Sequence, residues 1–299
     1  MRPTRRGRAA NGTASPYART VPGGLTGGAG MRFNILGPME VVHEGRCHVP
    51  SAQKVRCTLA LLLLSADHIV PRETLIDELW GERPPRTMIT TLQTYIYQLR
   101  KSFSRLTRRR DVILTRAPGY AIRLGDDDEV DAHRFERLVE QGRRQFEQGR
   151  LAEASHSCGT ALALWRGEAL AGICAGHRLE GHIAHLEELR IRALELRVGA
   201  DMLLGNDRDL IPELRALVAA HPLHEWFHGE LIKALAGAGR RGEALHAYRV
   251  MCRTLRDELG LEPSPAYQNL QRDLLRGVDV REMPGDSPLR HVNRAGMAS

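Results

Sequence analysis

The sequence predicts a mainly α fold with a small β part, divided between a basic mixed half and an all-helical half. Three observations carry that expectation. Charge is partitioned, with 20 Lys and Arg against 8 Asp and Glu in residues 1–125, but 23 against 28 in residues 126–299. Apolar spacing runs at period two near residue 31, at three and four through the next segments, and at period two again from residue 112. Finally, Gly149-Arg-x-x-Glu-Ala154 recurs as Gly239-Arg-x-x-Glu-Ala244.

The basic half begins with short strands. Met31-Arg-Phe-Asn-Ile-Leu36 alternates apolar with polar side chains, Gly37-Pro38 breaks the run, and Met39–His43 and Cys47–Val49 read as two further strands. Residues 52–65, AQKVRCTLALLLLS, are apolar on nearly every side, which predicts a central buried helix. Arg72–Trp80 puts Leu75, Ile76 and Leu79 on one face of a second helix, and Pro84-Pro85 forces a turn. Thr87–Phe103 predicts a third helix, with Ile89, Leu92, Ile96, Leu99 and Phe103 on one stripe and Met88 and Tyr95 at its edge. After the basic link 108–110, VILTRAPGYAIRL reads as strand, Pro-Gly turn, strand.

Strands, three helices and a terminal hairpin make a winged helix-turn-helix. A helix packed by one stripe can lay its other side in the DNA major groove, where hydroxyl, amide and cationic groups reach base edges. Thr90, Thr94, Tyr97, Gln98 and Lys101 are the expected base contacts. Lys54, Arg56, Arg86, Arg100 and Arg105 are expected at phosphates, which fix register without reading sequence, and Arg116 at a minor groove or its phosphates. The 15 Lys and Arg against 8 Asp and Glu of residues 31–125 suit such a module.

In the second half, Gly205 precedes Gly239 by 34 residues, the length of a tetratricopeptide-type helix pair, so a stack of helical hairpins is expected. Helix limits are read at Pro222 in a first turn, at Gly237 and Gly239 as a stop, and at Gly260. Pro263 and Pro265 precede a last helix running to Arg276. Residues 1–30 hold five arginines and no acidic residue and are expected to be a disordered basic leader, or to precede a true start at Met31. Residues 277–299 are expected to be a disordered tail.

One pattern points elsewhere. HEWFH, residues 224–228, matches the zinc-protease form H-E-x-x-H, with His224 and His228 one turn apart as ligands and Glu225 as base. A zinc hydrolase also needs a third ligand downstream, and His246 and Glu243 have no supporting motif; His177, His182 and His185 with Cys174 form no better set. There is no Gly-rich phosphate loop, G-x-S-x-G or paired carboxylate motif, so the sequence predicts no enzyme, no metal and no cofactor. Five scattered cysteines without C-x-x-C suit a reducing cytoplasm, and the aliphatic run Leu59–Leu64 is far short of the ~20 residues of a membrane span. A repeat-domain adaptor whose basic half binds protein or RNA stays open beside the DNA-binding reading.

The motifs in order resemble one family. GP-x-E-V (37–41), LALLLL (59–64), LIDELWGE-x-PP (75–85), TLQTYIYQLRK (91–101) and APGYAIRL (117–124) are similar to the OmpR-type winged helix of the Streptomyces antibiotic regulatory proteins. VDAHRFERLV (130–139), ALALWRGEAL (161–170), LEELRIRALE (186–195), HPLHE (221–225) and DELGLEPSPA (257–266) resemble that family's bacterial transcriptional activation domain. Met88-Ile89-Thr90 and Tyr97 depart from it, standing where more basic or smaller residues are common. The resemblance implies a DNA-binding domain at 31–125 and a helical activation domain at 126–276, parted at the acidic, turn-rich Gly125-Asp-Asp-Asp-Glu129. It further implies a cytoplasmic activator that binds tandem direct repeats in promoter DNA as a head-to-tail homodimer. Such an activator recruits RNA polymerase holoenzyme to a secondary-metabolite gene cluster.

Overall fold

The structure is a computed structural model describing residues 30–107, 109 and 111–277. The expected leader and tail lie outside the described residues, apart from Gly30 and Gly277. The described residues form two compact units, one within residues 1–140 and 159–192 and the other within residues 141–158 and 193–299.

In the first unit, β1 (Arg32–Asn34), β2 (Glu40–His43), β3 (Arg46–His48) and β7 (Glu129–Val130) form a sheet in the order β3-β2-β1-β7. Only the β1–β7 pair is parallel. The alternation read around residue 31 has its cause here: Met31, Phe33 and Ile35 are buried while Arg32 faces out. Three helices follow, α1 (Gln53–Leu64), α2 (Arg72–Trp80) and α3 (Met88–Leu106), with the two-residue β4 (Val70–Pro71) between the first two. Helix α1 buries Val55 and the run Cys57–Leu63, each enclosed leucine contributing roughly 1.5–3 kcal/mol. Its one hydroxyl, Thr58, donates to the Lys54 carbonyl at 2.8 Å, so burial leaves it satisfied. Phe33 and Phe103 meet edge to face at 6.0 Å, joining the first sheet to α3.

The hairpin read at residues 112–124 forms as β5 (Ile113–Arg116) and β6 (Gly119–Ile122), and β4 adds to it in the order β4-β6-β5. The strands β4 and β7 carry no sequence signal because two residues cannot show an alternation. Gly119 permits the third strand. A Cβ there would stand 1.8 Å from the Val70 carbonyl oxygen, so only glycine lets β4 come alongside.

Helices α4 (Asp131–Glu147), α5 (Leu151–Leu162) and α6 (His177–Leu203) run through the division between the units. The acidic stretch read as the domain boundary is held by hydrogen bonds. Asp128 accepts from the backbone N–H of Met31 (2.8 Å) and Gly125 (2.7 Å) and pairs with Arg109 at 2.6 Å. Asp131 receives the N–H of Ile35 and Leu36, and the N–H groups of Arg166 and Leu170 donate to Leu36 and Ile35 in return. Glu78 of α2, 7% exposed, accepts from the N–H groups of Gly176 (2.6 Å), Arg178 (2.9 Å) and Leu179 (3.3 Å) at the start of α6. The basic winged element and residues 131–140 and 159–192 therefore share one unit.

In the second unit, α8 (Glu225–Gly237) packs on both α7 (Asp207–Ala220) and α9 (Arg241–Leu259), and α10 (Pro265–Arg276) packs on α9. Of the glycines expected at helix ends, Gly237 is the last residue of α8, and Gly239 and Gly260 adopt positive φ, as does Gly205 after α6. Phe227, Ile232, Leu235 and Met251 fill the interior. Pro222 departs from the expectation of a first helical turn: it lies in the turn ahead of α8, which begins at Glu225 after an extended His224. Among the described residues no helix is long and apolar enough to cross a membrane.

Candidate nucleic-acid interface

Helix α3 has 19 residues and is held by four buried side chains, Leu92, Ile96, Leu99 and Phe103. At about 100° per residue these fall within a narrow strip, leaving the rest of the helix for solvent. Thr90, Thr94, Tyr97, Gln98 and Lys101, the expected base contacts, are all exposed, Tyr97 by 62%. Ile89 departs from the predicted stripe. It sits at the first turn, beyond the reach of the core that Leu92 closes, and is 49% exposed.

Within that face the side chains differ in what they have left to give. The Thr94 hydroxyl donates to the Thr90 carbonyl at 2.9 Å, and the Lys101 ammonium leans over the Tyr97 ring at 6.0 Å. Gln93, which sequence reasoning passed over, is exposed on the flank of that face. Its signal was present: it stands one turn after Ile89 and four residues before Tyr97, on the flank of the exposed face beside Ile89.

The wing is braced to this helix. Arg100 donates from Nε to the Ile113 carbonyl (3.0 Å) and from a terminal nitrogen to the Thr115 hydroxyl (2.9 Å). That fixes β5 against α3 and leaves Thr115, Arg116, Ala117 and Pro118 exposed at the hairpin tip. On the other flank Trp80 and Tyr95 stack at 6.2 Å.

The cations expected at phosphates divide into two groups. Arg86 precedes α3, Arg105 lies in its last turn and Arg116 ends β5; all three are exposed and make no ion pair among the described residues. Lys54, Arg56 and Arg100 are engaged with the protein itself. Lys54 donates to the Leu79 carbonyl at 2.9 Å and lies 4.6 Å over the Trp80 ring. Arg56 donates to the carbonyls of Pro50 (3.1 Å), Ser51 (3.0 Å) and Gly172 (3.3 Å). Composition gives no way to tell the two groups apart, since the difference lies in which backbone carbonyls the fold brings within reach.

The HEWFH side chains do not converge. His228 is 2% exposed and its Nε2 lies 2.9 Å from the Pro222 carbonyl; burial lowers its pKa, against the carbonyl contact and the Glu225 charge, so it holds one ring proton to make that bond. The Glu225 carboxylate accepts the Ser264 N–H at 2.9 Å, and His224 faces Glu195 at 3.4 Å. Cys174 contacts the Gln53 amide at 2.8 Å and His185 faces Glu136 at 3.8 Å, so the second histidine set is dispersed as well. Among the described residues no three His, Cys, Asp or Glu side chains gather as a metal-holding group.

Comparison with known proteins fits this geometry. Residues 48–122 match the family described as "Transcriptional regulatory protein, C terminal", and residues 130–275 match "Bacterial transcriptional activator domain". The chain is 42% identical over 258 residues to the regulatory protein DnrI of Streptomyces peucetius, covering 83% of this chain and 94% of that one. It is 35% identical to the regulatory protein AfsR of Streptomyces coelicolor over 82% of this chain, but spans only 24% of AfsR. Among solved structures, Mycobacterium tuberculosis EmbR in complex with a low-affinity phosphopeptide is similar, with a TM-score of 0.78 and 29% identity over 89% of this chain and 69% of that one. With two matched domains in the family's order and a relative aligned over nearly its whole length, the chain belongs to the Streptomyces antibiotic regulatory protein family of transcriptional regulators.

Proposed function

We propose that this regulator is a sequence-specific activator whose helix α3 enters the DNA major groove while the β5–β6 wing meets the adjacent backbone or minor groove. One observation carries the reading: α3 is held by a single buried strip, and its other side presents Thr90, Thr94, Tyr97, Gln98 and Lys101 beside a braced wing. Arg86, Arg105 and Arg116 serve as the phosphate contacts. Lys54, Arg56 and Arg100 act one step back, as braces that hold α1, α2 and the wing where the contacting residues need them. On promoters two copies bind tandem direct repeats head to tail, about one helical turn apart so that both lie on one DNA face. There they recruit RNA polymerase holoenzyme to a gene cluster for a secondary metabolite.

The test is selection of genomic fragments by the full chain at near-physiological salt, beside a Lys101→Ala, Tyr97→Ala double variant. Enriched promoter fragments that share a repeated element and are lost with the double variant support the reading. An unselected genome with both proteins rejects it and favours a charge-driven adaptor, whose binding falls with salt but shows no preference among sequences.

A further inference from the structure

Helix α3 begins with a side chain that the core does not take. The strip that seats the helix is complete with Leu92, Ile96, Leu99 and Phe103, each buried, yet Ile89 stands 49% exposed in the first turn. One turn further on, Gln93 is exposed and makes no side-chain hydrogen bond among the described residues. Its neighbours on the face are partly committed, Thr94 to the Thr90 carbonyl and Lys101 to the Tyr97 ring. Ile89 and Gln93 thus form a pair, one apolar and one amide, about 40° apart around the helix and about 6 Å apart along it. They sit in the part of a recognition helix that reaches deepest toward base edges, its N-terminal turns.

The chemistry of that pair selects its target. An isolated aliphatic side chain in the major groove has one apolar partner, the thymine 5-methyl group, and a side-chain amide matches the acceptor N7 and donor N6 of adenine. Neither side chain carries the guanidinium or ammonium group that pairs with the two acceptors of guanine. Resting on the reading of α3 as the recognition helix, we infer that Ile89 and Gln93 are specificity-determining residues that read A·T pairs. Ile89 covers a thymine methyl, and Gln93 makes a bidentate contact to adenine. Lys101, two turns beyond Gln93, faces the next positions of the same element or its phosphates.

The experiment selects binding sites for the full chain from a random-sequence duplex library. The recovered element is then copied with deoxyuridine in place of thymidine, which keeps base pairing and every donor and acceptor but removes the methyl. The recovered element is expected to contain A·T pairs, and wild type should bind the deoxyuridine copy about fourfold more weakly, the transfer free energy of one methyl-sized group. Ile89→Ala should bind the two copies equally, which separates a lost methyl contact from any change in duplex shape, since a shape effect would weaken the variant too. Gln93→Ala should lose about tenfold of its discrimination at one adenine position. Both side chains are exposed, so both variants should melt with wild type. An enriched element without A·T pairs overturns the inference, as does equal wild-type binding to the two copies or unchanged discrimination by Gln93→Ala; all three leave the regulator reading intact. Failure to enrich any element overturns that reading as well, and is a separate result.

Discussion

Replacing Glu78 by alanine tests whether one buried carboxylate holds the winged element to the start of α6. Glu78 accepts three backbone N–H groups, two at 2.6 and 2.9 Å and one longer at 3.3 Å. A hydrogen bond to a charged acceptor contributes about 1.5 kcal/mol at the low end, so the two short bonds give about 3 kcal/mol and the third little more. The favourable position of the charge at a helix N-terminus is already contained in those bonds and is not added. Glu78→Ala should therefore destabilise the first unit by about 3 kcal/mol, read as a fall in melting temperature of about 10 °C. Glu78→Gln, which retains one acceptor oxygen but turns an amide N–H toward the helix, should lose about 2 kcal/mol. Gly176→Ala should act at the same place, because a Cβ there would lie 2.5 Å from the Glu78 carbonyl oxygen and 2.9 Å from its carboxylate. Combined with Glu78→Ala it should add little, as expected of two changes to one contact. The assay is urea and thermal unfolding of the full chain. Losses below about 0.5 kcal/mol for both Glu78 variants, on the scale of ordinary surface changes, would refute the capping role.

Arg86→Ala and Arg105→Ala should each reduce the slope of log affinity against log salt by about 0.9, whereas Arg56→Ala should leave that slope unchanged; a slope that moves with Arg56 instead would reverse the assignment. Gly119→Ala should lower both stability and DNA affinity, since the added Cβ collides with the Val70 carbonyl and pushes β4 off the wing; unchanged melting refutes the close approach. Burial raises the Asp131 pKa to about 6 from an ordinary 3.8, against the N–H groups of Ile35 and Leu36 and the Arg166 charge. Between those values the folded chain keeps a proton that the unfolded chain has released, so stability falls as pH rises from about 4 to about 6, by at most about 3 kcal/mol, and is flat above. The checking measurement is urea unfolding across pH, in which Asp131→Asn should remove this part of the pH dependence.

Most of the first unit was legible because its signals are periodic. The strand around Phe33, the apolar helix Gln53–Leu64 and the hairpin around Gly119 follow from spacing alone, and each forms within a residue or two of where it was read. What escaped is contact that no period encodes. Glu78 reads as an ordinary polar residue of an amphipathic helix, yet its partners lie about a hundred positions away in sequence, at residues 176–179. Asp131 is equally silent until Ile35 and Leu36 are brought to it. For the candidate interface, the period located the exposed face but placed Ile89 on the buried stripe, because a helical wheel assumes that the core extends the full length of the helix. The core ends at Leu92. The arginines show the same limit, for sequence counts a charge without saying whether a carbonyl of the chain already holds it.

HEWFH shows how a short pattern can arise from packing. His221 closes α7 and the chain must turn before α8, so a residue that accepts extended geometry is needed at the N-cap, and His224 takes it with φ −88° and ψ 91°. The first turn of a helix favours an acid, and Glu225 there also receives the Ser264 N–H that leads into α10. Trp226 and Phe227 follow because both are needed inside the stack, at 7% and 0% exposure. His228 then falls where a buried ring can reach back to the Pro222 carbonyl and close the turn. Each of the five letters has a separate structural cause. A metal site requires the two histidines to share a direction, and here one is turned to Glu195 while the other is turned to Pro222. Substituting His228 by glutamine, which can still donate to that carbonyl, should therefore preserve the fold better than alanine, the ordering expected of a turn-closing donor.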